Sequence, residues 1–371
     1  MITAPDDMDQ RELRSSARGF FEMYSDESAV RAAMETAEGF DRELWTRMST
    51  ELGLQGLLIP DRFGGAEMGY AHLQIVMEEM GRALVCAPFL SSAVLGATAL
   101  VATADACAEE VLSGIAAGNT IAALAFADRQ GRWDPMDGAV RATATSEGWR
   151  LDGERRYVLD GAIADSLLVA ADTEEGATLF LLERGNVGCA ATVLQTLDMT
   201  RRQANLIFTS APAIAVGDIG RADEYVTAAV NAGLIALAAE QVGGARRLLE
   251  MSVEYAQVRE QFGRPIGSFQ AIKHKCADML VEVESSTSAA CAASAALDDR
   301  CPEAAMLASL AKAYCSEAYC HVAAENIQIH GGIGFTWEHP AHLYFRRAKS
   351  TEMLLGTPTY HRERMLKELG L

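Results

Sequence analysis

The stretch YAQVREQFGRPIGSFQAIKHKCADM, residues 255–279, decides how the chain is read. A helix reaches its end near Gln261. A turn holding Gly263, Pro265 and Gly267 follows, and a new helix starts with Ser268 in the position of an N-cap. Arg259 sits at the end of the first helix, and the N-terminus of the second offers free backbone N–H groups. Together they can converge on one anion, because a guanidinium and a helix N-terminus are a ready phosphate receptor. Gln270 can add a hydrogen bond. The same residues read equally well as an ordinary helix–helix corner with Arg259 in water.

A second stretch, IQIHGGIGFTWEHPAHLYFRRAKS (327–350), carries Gly331–Gly332, which lets backbone approach a ligand closely. Gln328 lies one turn earlier on the same helix. This is no dinucleotide-binding fingerprint, since no βαβ unit surrounds it. Read alone, it is a glycine helix terminus.

Around these stretches the periodicity falls into three zones. Apolar residues recur at helical spacing in 10–24, 41–53 and 70–84. Breaks stand at Gly53–Gly56, Pro60–Gly65 and Ala87–Pro88. From about 120 the pattern alternates and is punctuated by Glu147–Gly148, Asp152–Gly153 and Asp160–Gly161, as expected of short antiparallel strands. Beyond Asp218 it returns to helix: 222–258, 268–298, 302–330 and 340–369, the last broken at Gly356–Pro358. Long helices with short connections predict a bundle. The expected fold is α+β: an N-terminal helical domain (1–119), a central antiparallel, β-barrel-like domain (120–218) and a C-terminal four-helix bundle (219–371).

Composition narrows the function. The 371 residues hold 32 Lys plus Arg against 51 Asp plus Glu, a formal charge of −19. Nucleic acid and anionic membrane are therefore poor partners, although a local phosphate pocket is compatible with that charge. Eight cysteines without CxxC spacing argue for buried free thiols in a reducing compartment and against zinc, so no metal site is expected. The N-terminus MITAPDDMDQRELRSS lacks the apolar core of a leader. The Ala-rich stretch 227–239 ends at Glu240 and reads as buried helix, not as a membrane span. These features predict a soluble, cytoplasmic protein.

The two quoted stretches together resemble the C-terminal domain of the acyl-CoA dehydrogenase family, in residue type and in mutual spacing. The first zone agrees: Trp45, ELGLQGLLIPDRFGGAEM (51–68) and GRALVCAPFL (81–90) resemble that family's N-terminal domain. The resemblance implies FAD bound at a subunit interface, with a proton and a hydride removed from the α and β carbons of an acyl-CoA. It implies FAD contacts from Arg259, Gln261, Phe262, Gln270, Gln328, Gly331, Gly332 and Thr357. Residues 328–332 would serve the flavin of a neighbouring subunit. Leu124, Phe126 and Ala127, with Tyr157 to Leu159, occupy the positions flanking the isoalloxazine ring. Ala127 and Leu159 stand where Thr is common, so hydrogen bonds near the flavin N5 would be lost.

The chemistry needs a carboxylate to take the α proton. In MLLGTPTYHR (353–362) the family's Glu position is Leu355; the alternative position, counted back from Arg259, is Gly233. Asn231 and Leu234 also depart from the family's usual acidic residue and Arg. Glu240, two helical turns past Gly233, is a weak candidate for a relocated base, better read as structural. Glu352 and His361 are weaker still. One branch of the family resolves the gap: the chain resembles the Glu-deficient subunit of heterotetrameric (α2β2) steroid-degrading acyl-CoA dehydrogenases. Electron-transferring flavoprotein is then the expected acceptor. A self-sufficient homotetramer using Glu240, a non-catalytic structural subunit and a flavin mono-oxygenase or nitroalkane-oxidase relative are the alternatives. Small residues at Ala232 and Gly233 leave room for a bulky acyl group, without fixing its identity.

Overall fold

The computed structural model describes residues 8–127 and 139–369. The first seven residues of the N-terminal stretch read above lie outside them. Four helices open the chain: α1 (Met8–Tyr24), α2 (Glu27–Glu35), α3 (Arg42–Leu52) and α4 (Tyr70–Arg82). A wide π-helical stretch, Phe89–Gly96, runs into α5 (Ala97–Thr103), and α6 (Glu109–Ala116) follows. Helix limits are set by local chemistry. Asp41 caps α3 by accepting from the Glu43 N–H at 2.8 Å, and Gly53 closes it at φ 63°, a backbone geometry that costs glycine least.

Seven strands come next: β1 (Ala122–Ala125), β2 (Val140–Thr145), β3 (Gly148–Leu159), β4 (Ser166–Thr173), β5 (Gly176–Glu183), β6 (Cys189–Val193) and β7 (Gln203–Val216). The sheet closes on itself: β4 contacts β2, β2 pairs β3, β3 pairs β7, β7 pairs β5, and β5 pairs β4. Closure pairs both sides of these five strands, while β1 and β6 stay at the margin with one neighbour each, and the Phe89–Gly96 stretch packs on β1. Most pairings are antiparallel as expected; β1–β4 and the short β2–β4 contact are parallel. Alternation fills the interior with Val140, Leu151, Val169, Phe180, Leu206 and Phe208. Arg155 is also inside, fully buried. Its guanidinium donates to the Ala170 carbonyl at 2.6 Å and the Phe126 carbonyl at 2.9 Å.

The rest is helical: α7 (Ala222–Val258), a two-residue hairpin β8 (Glu260–Gln261) and β9 (Arg264–Pro265), then α8 (Gln270–Asp298), α9 (Ala304–His330), α10 (Ala341–Met353) and α11 (Pro358–Glu368). Among the described residues α7 alone has the length and apolarity to cross a membrane, and its apolar window is mostly buried inside the protein. The chain divides into two compact units. One comprises Met1–Arg31, Tyr70–Val85 and Leu234–Leu371; the other Ala32–Gly69 and Cys86–Gly233. The division thus cuts across the three sequence zones, because α4 packs on α8 and α1 packs on α4.

Within the first unit, α4 and α7 touch backbone to backbone. A Cβ on Gly81 would lie 2.0 Å from the Glu240 carbonyl oxygen, and one on Gly243 would lie 1.8 Å from that of Glu78. The start of α4 is capped from afar: the Asp298 carboxylate accepts from the Tyr70 N–H (2.6 Å) and the Ala71 N–H (2.9 Å). All eight cysteines are free. Only Cys86, Cys315 and Cys320 are buried, and Cys107 is exposed, which corrects the expectation that all the thiols are interior.

The crossing gives a stability prediction. Gly243→Ala should destabilise the protein by about 3 kcal/mol in urea unfolding, since backbone cannot retreat as a side chain can. Gly19→Ala on α1, where a Cβ meets nothing within 4 Å, should be neutral or slightly stabilising. Equal effects at the two positions would contradict the crossing.

Candidate active site

Helix α7 runs out at Val258, and the β8–β9 hairpin turns the chain into α8. The Ile266 N–H donates to the Arg259 carbonyl at 2.8 Å, fixing the hairpin base. Arg259, Gln261 and Gln270 are all exposed around it. Phe262, at φ 54°, is 92% exposed and meets Phe269 edge-on at 6.1 Å. Ser268 is not the N-cap. Its hydroxyl donates to the Pro265 carbonyl at 2.7 Å, and Phe269 takes the cap position without a side-chain bond. The first N–H groups of a 29-residue helix are therefore left without a side-chain cap.

Beside the end of α7 in the same unit, α9 stops at Gly331, whose φ is 63°. Gln328 is exposed, and a Cβ on Gly331 or Gly332 would meet nothing within 4 Å. Backbone there is open to a ligand. Behind it, Tyr255 stacks on His330 at 4.4 Å and ties the ends of α7 and α9 together.

The loop between α10 and α11 holds Leu355, which the resemblance places at the family's carboxylate position. Leu355 is 1% exposed and has φ 56°, an uncommon conformation for a leucine. Two buried side chains hold it. His361 Nε2 lies 2.9 Å from the Leu355 carbonyl; a carbonyl only accepts, so Nε2 carries the proton and Nδ1 does not. Lys312 Nζ donates to the carbonyls of Gly356 (3.1 Å) and Glu352 (3.2 Å) and to Ser316 Oγ (3.0 Å), using all three ammonium protons. Burial pushes the Lys312 ammonium down to about 7, and burial, with Lys312 nearby, pushes His361 down to about 3. So weak an imidazole is a poor proton acceptor. Thr357 caps α11, its hydroxyl oxygen accepting from the Tyr360 N–H at 3.2 Å.

The other candidates fare differently. Gly233 lies buried in α7, and Leu234 is fully buried. Glu240 is 2% exposed and forms an ion pair with Arg347, itself 2% exposed. Its carboxylate is aimed at the guanidinium of its partner, as expected of a structural pair. Glu352 pairs with Lys349 at 3.0 Å. In the second unit, Leu124, Phe126, Ala127, Tyr157 and Leu159 do come together, and Ser91 joins them in lining one small pocket. Its walls are mainly apolar, and the Ser91 hydroxyl is already spent on Asp160 Oδ2 at 2.6 Å.

Lys312, Arg347 and Arg155 were not singled out by sequence reasoning. Lys312 had a legible signal: it is a lone cation in the Ala-rich run AAMLASLAKAY (304–314). Arg155 and Arg347 had none, each standing beside a second arginine, Arg156 and Arg346.

Comparison with known proteins follows this geometry. Residues 7–119 match the acyl-CoA dehydrogenase N-terminal domain, and residues 224–370 match the acyl-CoA dehydrogenase C-terminal domain. The chain belongs to the acyl-CoA dehydrogenase family, oxidoreductases that act on acyl-CoA and generally bind FAD. It is 36% identical to the acyl-CoA dehydrogenase IpdE2 of Mycolicibacterium smegmatis over 97% of this chain and 99% of that protein. Among solved structures it resembles the ChsE4–ChsE5 complex from Mycobacterium tuberculosis, with TM-score 0.89, 30% identity, and coverage of 100% of this chain and 99% of that one. It also resembles a Tcur3481–Tcur3483 steroid acyl-CoA dehydrogenase variant, with TM-score 0.89, 28% identity and 98% coverage of both chains.

The loop gives a pH prediction. His361 stays neutral in the folded chain well below pH 6.5, whereas in the unfolded chain it takes a proton below that value. Its share of the stability is thus present above about pH 6.5 and falls as the pH drops toward 3, by up to ~1.4 kcal/mol per pH unit. Urea unfolding between pH 4 and 7 should show a shallower acid loss for His361→Gln than for the unaltered chain. Parallel curves would contradict it.

Proposed function

We propose that this chain is the base-deficient subunit of a heteromeric, FAD-dependent acyl-CoA dehydrogenase. The observation that carries the reading is Leu355. Its loop is held in place by Lys312 and His361, yet it presents an alkyl group where proton abstraction needs a carboxylate. The relocated-base alternative loses its residue to the Glu240–Arg347 pair.

The exposed edge fits FAD. An uncapped helix start, Arg259, Gln261 and Gln270 offer donors to a pyrophosphate, and Phe262 offers a bare aromatic face to an adenine. Gly331 and Gly332 leave backbone free for a second such ligand, with Gln328 one turn away. The Thr357 hydroxyl keeps its proton for donation, since only its oxygen is used as a cap. FAD, when bound, supplies the acceptor for the β hydride. The chain's own part is to bind the cofactor's phosphates, shape the acyl site and exclude water, while a homologous partner subunit supplies the base.

The relatives support the heteromeric and steroid aspects: one is a two-component complex and another is named as a steroid enzyme. A bulky, steroid-derived acyl-CoA is therefore the substrate class proposed, with electron-transferring flavoprotein as acceptor.

The test is anaerobic mixing of FAD-loaded protein with such an acyl-CoA, following flavin bleaching. The chain alone should bleach at least ~100-fold more slowly than the chain with its co-purifying homologue, the usual worth of a positioned base. Full-rate bleaching by the isolated chain would overturn the proposal.

A further inference from the structure

Helices α1, α4, α7 and α10 of the first unit enclose a groove that the flavin and acyl-CoA chemistry does not use. Its polar end is a cavity of about 350 Å³ lined by Arg18, Arg82 and Arg247. Its apolar end is a cavity of about 180 Å³ lined by Leu84, Met251, Leu343 and Tyr344. Ser25, Ala83 and Arg247 line both, so the two ends adjoin across these side chains.

The arginines are oriented by carboxylates but not exhausted by them. Arg18 donates from Nε (2.9 Å) and Nη2 (2.8 Å) to Glu79. Arg82 gives one bond, Nη1 to Glu250, at 2.6 Å, and Arg247 uses Nη1 toward Glu250 and Glu254. None of the described residues accepts from Arg18 Nη1, or from Nε and Nη2 of Arg82 and Arg247. These three guanidiniums hold donors in reserve around a cavity, with their positions fixed in advance by ion pairs. Glu22, Asp26 and Glu79 also line the polar end and Glu27 lines the other, so the acidic groups offset the three arginines and no net positive field draws an anion in. Selection for an anion would rest on the forked donors and not on long-range attraction.

We propose that this groove is a binding site for an amphipathic carboxylate: an apolar body against Leu84, Met251 and Leu343, and a carboxylate bridging Arg82 and Arg247. Guanidinium forks match the two oxygens of a carboxylate, and the apolar end excludes ligands without a hydrocarbon body. Neither Leu355 nor any residue offered above to FAD lines it.

Octanoate and octan-1-ol are the probes, titrated calorimetrically into the full-length, FAD-loaded protein. Octanoate should bind saturably and octanol at least about tenfold more weakly, since charge-assisted hydrogen bonds are lost with the carboxylate. Arg247→Met, which leaves Glu250 paired to Arg82, should weaken octanoate about tenfold. Ala83→Leu, which keeps every arginine but fills the junction, should also weaken it. Thermal midpoints report folding of both variants. Absence of saturable binding, equal affinity for acid and alcohol, or wild-type affinity in either folded variant would overturn the site.

Discussion

The helical unit depends on one constraint, the backbone contact of α4 and α7 at Gly81 and Gly243. Any side chain at either position would meet a carbonyl oxygen of the facing helix. At the same level of α7, Glu240 meets Arg347 of α10 with almost no water, and Arg347 reaches the Val85 carbonyl, just past the end of α4, as well. Taking two charges out of water is costly, and a pair so enclosed persists only where both partners are fixed by packing. A single 37-residue helix is thereby anchored around residues 240–243, and its C-terminal end leads into Arg259 and the hairpin.

Against that rigid background the α10–α11 loop stands out. Lysine and histidine are buried to hold three carbonyls, those of Glu352, Leu355 and Gly356, at an evident cost in desolvation, and the residue so presented is a leucine in a left-handed conformation. Such support is expected of a functional loop and is excessive for a surface connection. The chain keeps the mount of a catalytic group and has an alkyl group on it. On the function proposed above, such a chain contributes cofactor edge and pocket wall, and another chain takes the proton.

Much of this was legible in the sequence. The helix and strand zones, the hairpin at 259–267 and the glycines at 331–332 all follow from periodicity and turn residues, which are local properties. Leu355 and Gly233 were legible only because the neighbouring Gly356–Thr357 and Arg259 fix the count. What escaped is non-local. Ser268 looks like a cap, but its hydroxyl is taken by Pro265 and the helix begins two residues later. Asp298, at the end of α8, caps α4 from 228 residues away. The burial of Arg155, Lys312 and Arg347 depends on partners from distant elements, and no pattern within their own helices or strands reveals it. The compact units likewise ignore chain order, since α1 and α4 leave their neighbours to join the C-terminal helices.

The central claim is that this chain binds the cofactor but cannot take the α proton. Exchange of that proton into deuterated solvent measures the step directly, apart from hydride transfer and electron acceptance. Acyl-CoA incubated in D2O with the FAD-loaded chain alone should keep its α proton, and exchange should begin only when the homologous subunit is added. Exchange by the isolated chain at the rate of the pair would mean that it holds a base of its own, and the account would be wrong.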